Sequence, residues 1–191
     1  LQWPGLDHLV VTAGASATVL GLIHQRPESW MPLILDTRTG KARSPLEQGT
    51  ESDPMFTRNP QAQRLNSIMG YPQPLTIKGK PTVFLPGESF PGEHGVLTMY
   101  RVDLASNTQP VEVGAGNEDT EDMLVDGDGR IVARSDYDEH SGNWSLWVSA
   151  GGAGVLHQAH RETDAIDRPS IIGFGRHKSS VIVEKDENDI A

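Results

Sequence analysis

Apolar residues along this chain come in short runs whose spacing suits β-strands rather than helices. Strands are predicted at 8–12 (HLVVT) and at 31–36 (MPLILD), the second ended by Thr37-Arg38-Thr39-Gly40-Lys41 and followed by a returning polar strand through Leu46. Next come 81–85 (PTVFL) and 97–104 (LTMYRVDL); the latter alternates between two faces until Asn107 breaks it, and 110–113 returns. Segments 122–125 and 130–134 flank Asp126-Gly127-Asp128-Gly129, where Asp-Gly suits the positive φ angles of a tight hairpin. Segment 143–148 (NWSLWV) is turned by Gly151-Gly152 into Val155-Leu156, and 170–174 with 180–183 forms a last hairpin around Gly175-Arg176-His177-Lys178. One short helix is expected between the polar stretch 50–58 and the Pro-rich 71–74. Asn59 would cap it, Pro60 would occupy its first turn, Leu65, Ile68 and Met69 would share one face, and Gly70 would end it.

The strands repeat as units. One unit is a strand, often closed by Asp, then a turn and a return: LILDTRTGKARSPL from Leu33, YRVDLASNTQPVEV from Tyr100, LWVSAGGAGVLHQ from Leu146. A second unit precedes it, with a Gly-containing turn between apolar strands: MLVDGDGRIVARS from Met123 and IIGFGRHKSSVIVE from Ile171. Together they make four strands in about 40–50 residues, the size of a β-propeller blade. The expected fold is therefore all-β: a partial propeller of three to four antiparallel blades, at 1–50, 71–118, 119–163 and an incomplete 164–191, with the helix in an insertion at 51–70. A β-sandwich with similarly spaced hairpins is the alternative. Runs apolar on both faces, such as HLVV, LIL and VIV, suit sheets covered on both sides and favour the propeller.

Charge narrows the partners. The 191 residues carry 26 acidic and 16 basic side chains, a formal net charge of -10, which argues against nucleic acid and against anionic membrane surfaces. No run approaches the roughly 20 apolar residues of a membrane span. With no Cys there is neither disulfide nor thiolate chemistry, and the absence fits cytosol and cell envelope equally. The chain starts at Leu1 without a signal-peptide pattern, which suits a piece of a longer protein.

Candidate chemistry is sparse. Gly87-Glu88-Ser89-Phe90-Pro91 approaches the Gly-x-Ser-x-Gly elbow of hydrolases, but Pro91 replaces the second Gly and no helix follows. Gly14-Ala15-Ser16-Ala17-Thr18 fails in the same way. His157 and His160 have metal-ligand spacing only on a helix, and on a strand they read as a surface pair. Asp126-x-Asp128-Gly129 and Asp186-Glu187-Asn188-Asp189 lack the remaining oxygens of a calcium loop. Trp144 and Trp147 lie three apart on a strand and so face opposite sides, with core packing the plainer role and an aromatic platform the sharper one. Tyr137-Asp138-Glu139-His140 is the richest polar cluster. Tyr137, Asp138, His140 and Trp144 are accordingly the candidate cavity-loop residues, against the plainer reading of an exposed connection. No catalytic, cofactor-binding or metal-binding residue is assigned.

The stretch 114–148, with Asp119-Thr120, Asp126 to Gly129, Tyr137-Asp138 and the strand from Trp144 to Val148, resembles the propeller of prolyl oligopeptidase-type serine peptidases. It looks most like the bacterial dipeptidyl-aminopeptidase or acylaminoacyl-peptidase branch, and GEHGVLTMYRVDLASNTQPVEVG from Gly92 looks like another blade of that family. The resemblance implies a two-part parent, in which a C-terminal α/β-hydrolase domain holds a Ser–Asp–His triad and the propeller limits which peptide substrates reach it. No triad residue has a counterpart here. The expected function is that of a non-catalytic propeller segment, with homo-oligomerisation through uncovered terminal blades. The alternatives are a stand-alone TolB- or WD-type binding or scaffold module and, last, a small enzyme with a scattered site.

Overall fold

The computed structural model describes residues 7–15, 29–46, 66–91, 94–149, 154–163, 168–177 and 180–185. Among these residues the fold is all-β, with thirteen strands in four antiparallel sheets and no helix. The strands are β1 (His8–Ala15), β2 (Ser29–Asp36), β3 (Ala42–Arg43), β4 (Gln73–Ile77), β5 (Lys80–Ser89), β6 (Val96–Asp103), β7 (Val111–Ala115), β8 (Thr120–Val125), β9 (Ile131–Asp138), β10 (Asn143–Ser149), β11 (Leu156–Glu162), β12 (Ser170–Phe174) and β13 (Val181–Glu184). The chain divides into two compact units, Leu1–Glu118 and Asp119–Ala191.

The first unit holds the sheets β1-β2-β3 and β4-β5-β6-β7, each a meander in which consecutive strands pair. In the pairing of β5 with β6, Val83 faces Val102 and Leu85 faces Tyr100. These four join Val10 and Ile34 from the first sheet, with Leu46, Ile68 and Leu104, in one buried cluster. The opposite face of the same sheet is buried too, at Phe84, Leu97 and Met99. A strand covered on one side alternates apolar and polar residues; β5 is buried without interruption from Thr82 to Glu88 because both of its faces are covered.

The expected helix is corrected where it can be seen. Asn59, Pro60 and Leu65 lie outside the described residues, and 66–70 is not helical. Ile68 instead forms isolated bridges with Trp30 of β2 and Gly87 of β5. Its N–H donates to the Trp30 carbonyl at 2.8 Å, and the Met69 N–H donates to the Pro86 carbonyl at 2.8 Å. Asn66 clips the same junction, accepting from the Leu46 N–H and donating to the Pro32 carbonyl. The apolar spacing that suggested a helical face reflects an extended segment anchored by one wholly buried side chain.

The Pro-rich 73–74 is the start of strand β4, which pairs with β5 through the two-residue turn Lys78-Gly79. Lys78 has φ 50° and Gly79 φ 78°, the signs of a type I′ turn. Pro74 is accommodated because β4 is an edge strand. The hairpin expected around Asp126-Gly127-Asp128-Gly129 joins β8 to β9, Val125 pairing with Ile131, and the positive φ of its Asp-Gly falls on Gly129 at 82°.

The second unit holds the meander β8-β9-β10-β11 and the hairpin β12-β13. Its core pairs Tyr137 with the opposite Trp144, and Leu146 and Val183 pack against them. Asp122 of β8 accepts from the Ile171 N–H at 3.1 Å and from the Ser135 hydroxyl, tying β12 to the meander. The Gly151-Gly152 turn and all of 186–191 lie outside the described residues.

Ile68→Ala removes a fully buried side chain at the junction of the two sheets and is expected to destabilise the first unit by about 2–5 kcal/mol. Urea unfolding followed by far-UV circular dichroism and by tryptophan fluorescence measures it.

Candidate functional site

Four of the reversals, β2 to β3, β6 to β7, β8 to β9 and β9 to β10, share a device written into the sequence. A strand ends on Asp, and its carboxylate accepts backbone N–H groups of the turn it starts. Asp36 Oδ1 accepts from Arg38 and Thr39 at 2.9 and 3.1 Å, and the Gly40 N–H donates to the Asp36 carbonyl. Asp138 repeats this with His140 and Ser141 at 2.9 and 3.3 Å, and the Gly142 N–H donates to the Asp138 carbonyl. Gly40 and Gly142 have φ of 69° and 65°, a conformation a side chain disfavours, which is why Asp-x-x-x-Gly recurs at both. Asp126 accepts from Asp128 and Arg130, and Asp103 from Ala105.

This device determines where the sequence-selected residues sit. Tyr137 and Trp144 do not line a cavity loop: they face each other across β9 and β10 in the core, 9% and 2% exposed. Asp138 anchors a turn, its Oδ2 accepting from the Ser141 hydroxyl at 2.5 Å. That bond and the His140 N–H hold its carboxyl below the usual Asp range, against partial desolvation. The His140 side chain projects fully into solvent, with Nδ1 3.8 Å from Asp138. The structure brings Asp138 and His140 together as parts of one turn, and separates both in role from the tyrosine and tryptophan.

Around Tyr137 lies a polar cluster missed at the sequence level. The Arg168 guanidinium stacks over the Tyr137 ring at 4.7 Å and bridges the buried Glu121 at 3.2 Å and Glu139 at 2.5 Å. Arg134 pairs with Asp136 at 2.8 Å and lies over Trp147, while the Thr120 hydroxyl donates to the other oxygen of Asp136. These pairs hold strands together, although among the described residues the buried Arg134 Nε and Trp147 Nε1 have no hydrogen-bond partner. The sequence separation of 47 between Glu121 and Arg168 hid their pairing from any local pattern.

The other sequence candidates are accounted for simply. Ser89 lies within the extended β5, and its hydroxyl is paired with that of Thr98 at 2.6 Å. His157 and His160 are exposed on β11. Among the described residues no group of three or more His, Asp or Glu gathers as metal ligands would, and no helix is long and apolar enough to cross a membrane.

A cleft of about 700 Å³ lies in the first unit, between the turn joining β2 to β3 and the connection from β6 to β7. Ile34, Leu104, Pro45, Pro81 and Pro110 supply its apolar walls. The half-buried Arg43 crosses it, donating from one terminal nitrogen to the Asp103 and Ser106 carbonyls at 3.0 and 3.3 Å. Burial lowers the Arg43 pKa, opposed by the Asp103 carboxylate, and the guanidinium stays charged. Lys41 and Arg38 stand at the rim. Asp36 also lines the cleft; desolvation raises its pKa, but the Thr39 and Arg38 N–H groups and the Arg38 charge outweigh this and leave it below the usual range.

No family model, curated protein or solved structure matches the chain.

Two measurements check these placements. Trp144→Ala is expected to cost about 3–5 kcal/mol, whereas His140→Ala should stay within about 0.5 kcal/mol of wild type. Asp138→Ala should lower the melting temperature and Asp138→Asn should retain most of it, because Asn still accepts the turn N–H groups. The folded pKa of Asp138 lies below its unfolded value of about 3.9. Its ionic contribution is therefore complete above that value and lost as pH falls through the folded pKa, so wild type and Asp138→Asn should converge in a melting series taken from pH 7 to pH 2.

Proposed function

We propose that the four sheets are successive blades of a β-propeller belonging to a prolyl oligopeptidase-type serine peptidase, and that this segment gates peptide access to an α/β-hydrolase domain elsewhere in the parent protein. The observation that carries the reading is the sheet β4–β7, a four-stranded meander whose middle strands are buried on both faces. An edge-on sheet in a ring needs a neighbour on each side, whereas a sandwich sheet needs one.

The phase of the repeats supports it. The Asp-closed reversals β6 to β7 and β2 to β3 end their meanders, and β10 to β11 ends the third. The reversals β4 to β5, β8 to β9 and β12 to β13 begin theirs. In that phase β1–β3 are the last three strands of one blade and β12–β13 the first two of another. The ion pairs that tie strands together around Tyr137 fit a rigid gate, in which the remote triad does the chemistry.

The test is to read the gene on both sides, express the whole reading frame, and treat it with a fluorophosphonate that labels activated serines. The expected result is one labelled serine in a Gly-x-Ser-x-Gly context outside these 191 residues, with aminopeptidase activity on short peptides and none on folded proteins. A reading frame without a hydrolase domain would contradict it and favour the stand-alone binding module. Labelling at Ser89 would contradict both.

A further inference from the structure

We propose that the cleft in the first unit binds a small carboxylate-bearing ligand, gripped by Arg43 at its floor and Lys41 at its rim. This goes beyond the peptidase reading and stands without it.

Size and lining come first. About 700 Å³ is within the range that holds a small molecule, and apolar walls with a few convergent polar groups are what such sites present. Serine, threonine and amide side chains from the connection between β6 and β7, among them Asn107 and Gln109, add neutral donors along one wall.

Charge decides the class of ligand. Asp7 and Asp36 line the cleft, but Arg38 lies 3.6 Å from one and 3.9 Å from the other, and Asp36 is committed to its turn. Among the described residues, neither Lys41 nor Arg43 has a carboxylate within ion-pair distance; Asp103, the nearest acidic influence on Arg43, turns Oδ1 to the Ala105 N–H. Arg43 is fixed by two carbonyls at one terminal nitrogen, which leaves its other terminal nitrogen and Nε to donate. A planar guanidinium pre-positioned in this way suits an oxyanion and loses little side-chain entropy on binding one.

The surroundings reinforce this. A smaller hollow on the other side of the same connection, about 280 Å³, is lined by Lys78, Lys80 and Arg101, with Asp103 as its one acidic residue among the described residues. Six of the nine basic residues of the first unit thus line these two concavities, and that unit has 11 acidic residues, against 15 acidic and 7 basic in the second. In a protein of net charge -10, the basic residues of the first unit are concentrated at this edge, which favours an anion here.

The probes are citrate, as a polycarboxylate, and inorganic phosphate, titrated into the full 191-residue chain by calorimetry and by amide chemical-shift mapping. Saturable citrate binding is expected, weakening with salt, with shifts at Thr39, Lys41, Arg43 and Asn107. Lys41→Gln leaves the fold intact because Lys41 is exposed, and should weaken citrate about fivefold; Arg43→Gln should weaken it by about tenfold or more. Phosphate binding more tightly than citrate at the same amides would overturn the carboxylate assignment. Equal binding to wild type and both variants, shifts elsewhere on the surface, or no saturation by about 10 mM would overturn the site.

Discussion

The carboxylate that closes a strand and accepts the N–H groups of the following turn is the interaction on which the rest of this structure depends. A meander is a series of reversals, and each reversal leaves backbone donors without a ladder partner. Asp36, Asp103, Asp126 and Asp138 supply acceptors at those points. By fixing where each turn starts they fix strand register, and register decides which side chains face the core. A slip of one residue in β9 would turn Tyr137 outward and Arg134 inward. Hydrogen bonds to the carboxylate also keep it ionised: the Ser141 hydroxyl and then the His140 N–H depress the pKa of Asp138, and the Thr39 and Arg38 N–H groups that of Asp36 against desolvation.

Burial follows from that register. In the first unit, Val83 and Leu85 on one face of β5 and Phe84 on the other are all excluded from solvent, and Ile68 pins the neighbouring sheet at Trp30. In the second, one hairpin covers the meander, held by Asp122 and Arg168, with Lys185 paired to Glu162 at the far strand. The outer face of that hairpin leaves Ile172, Phe174 and Ile182 exposed. Such a face suits the place in a stack of sheets that the proposed propeller gives it.

Much of the strand content was legible because apolar runs bounded by Asp and Gly have few other solutions. HLVVT, MPLILD, LTMYRVDL, NWSLWV and SVIV all contain or border observed strands. The misreadings have physical causes. Proline at 74 disguised an edge strand, where a missing N–H costs little. Leu65, Ile68 and Met69 have helical spacing, but tertiary bridges claim Ile68. The polar candidates were harder. Tyr137, Asp138 and His140 are neighbours in sequence, but β9 ends between them: Tyr137 points into the core, Asp138 anchors the turn and the His140 side chain within that turn projects into solvent. The cleft went unseen because Lys41 and Arg43 meet the connection after Asp103 only through folding.

Hydrogen exchange by NMR on the turn amides tests the role of the strand-closing aspartates most directly. The N–H groups of Arg38, Thr39, His140 and Ser141 lie in exposed surface turns, where an unbonded amide exchanges at close to its unstructured rate. The account predicts that they are protected at neutral pH in the wild type and lose protection when the preceding aspartate is replaced by alanine. Exchange at unstructured rates in the wild-type protein would contradict it.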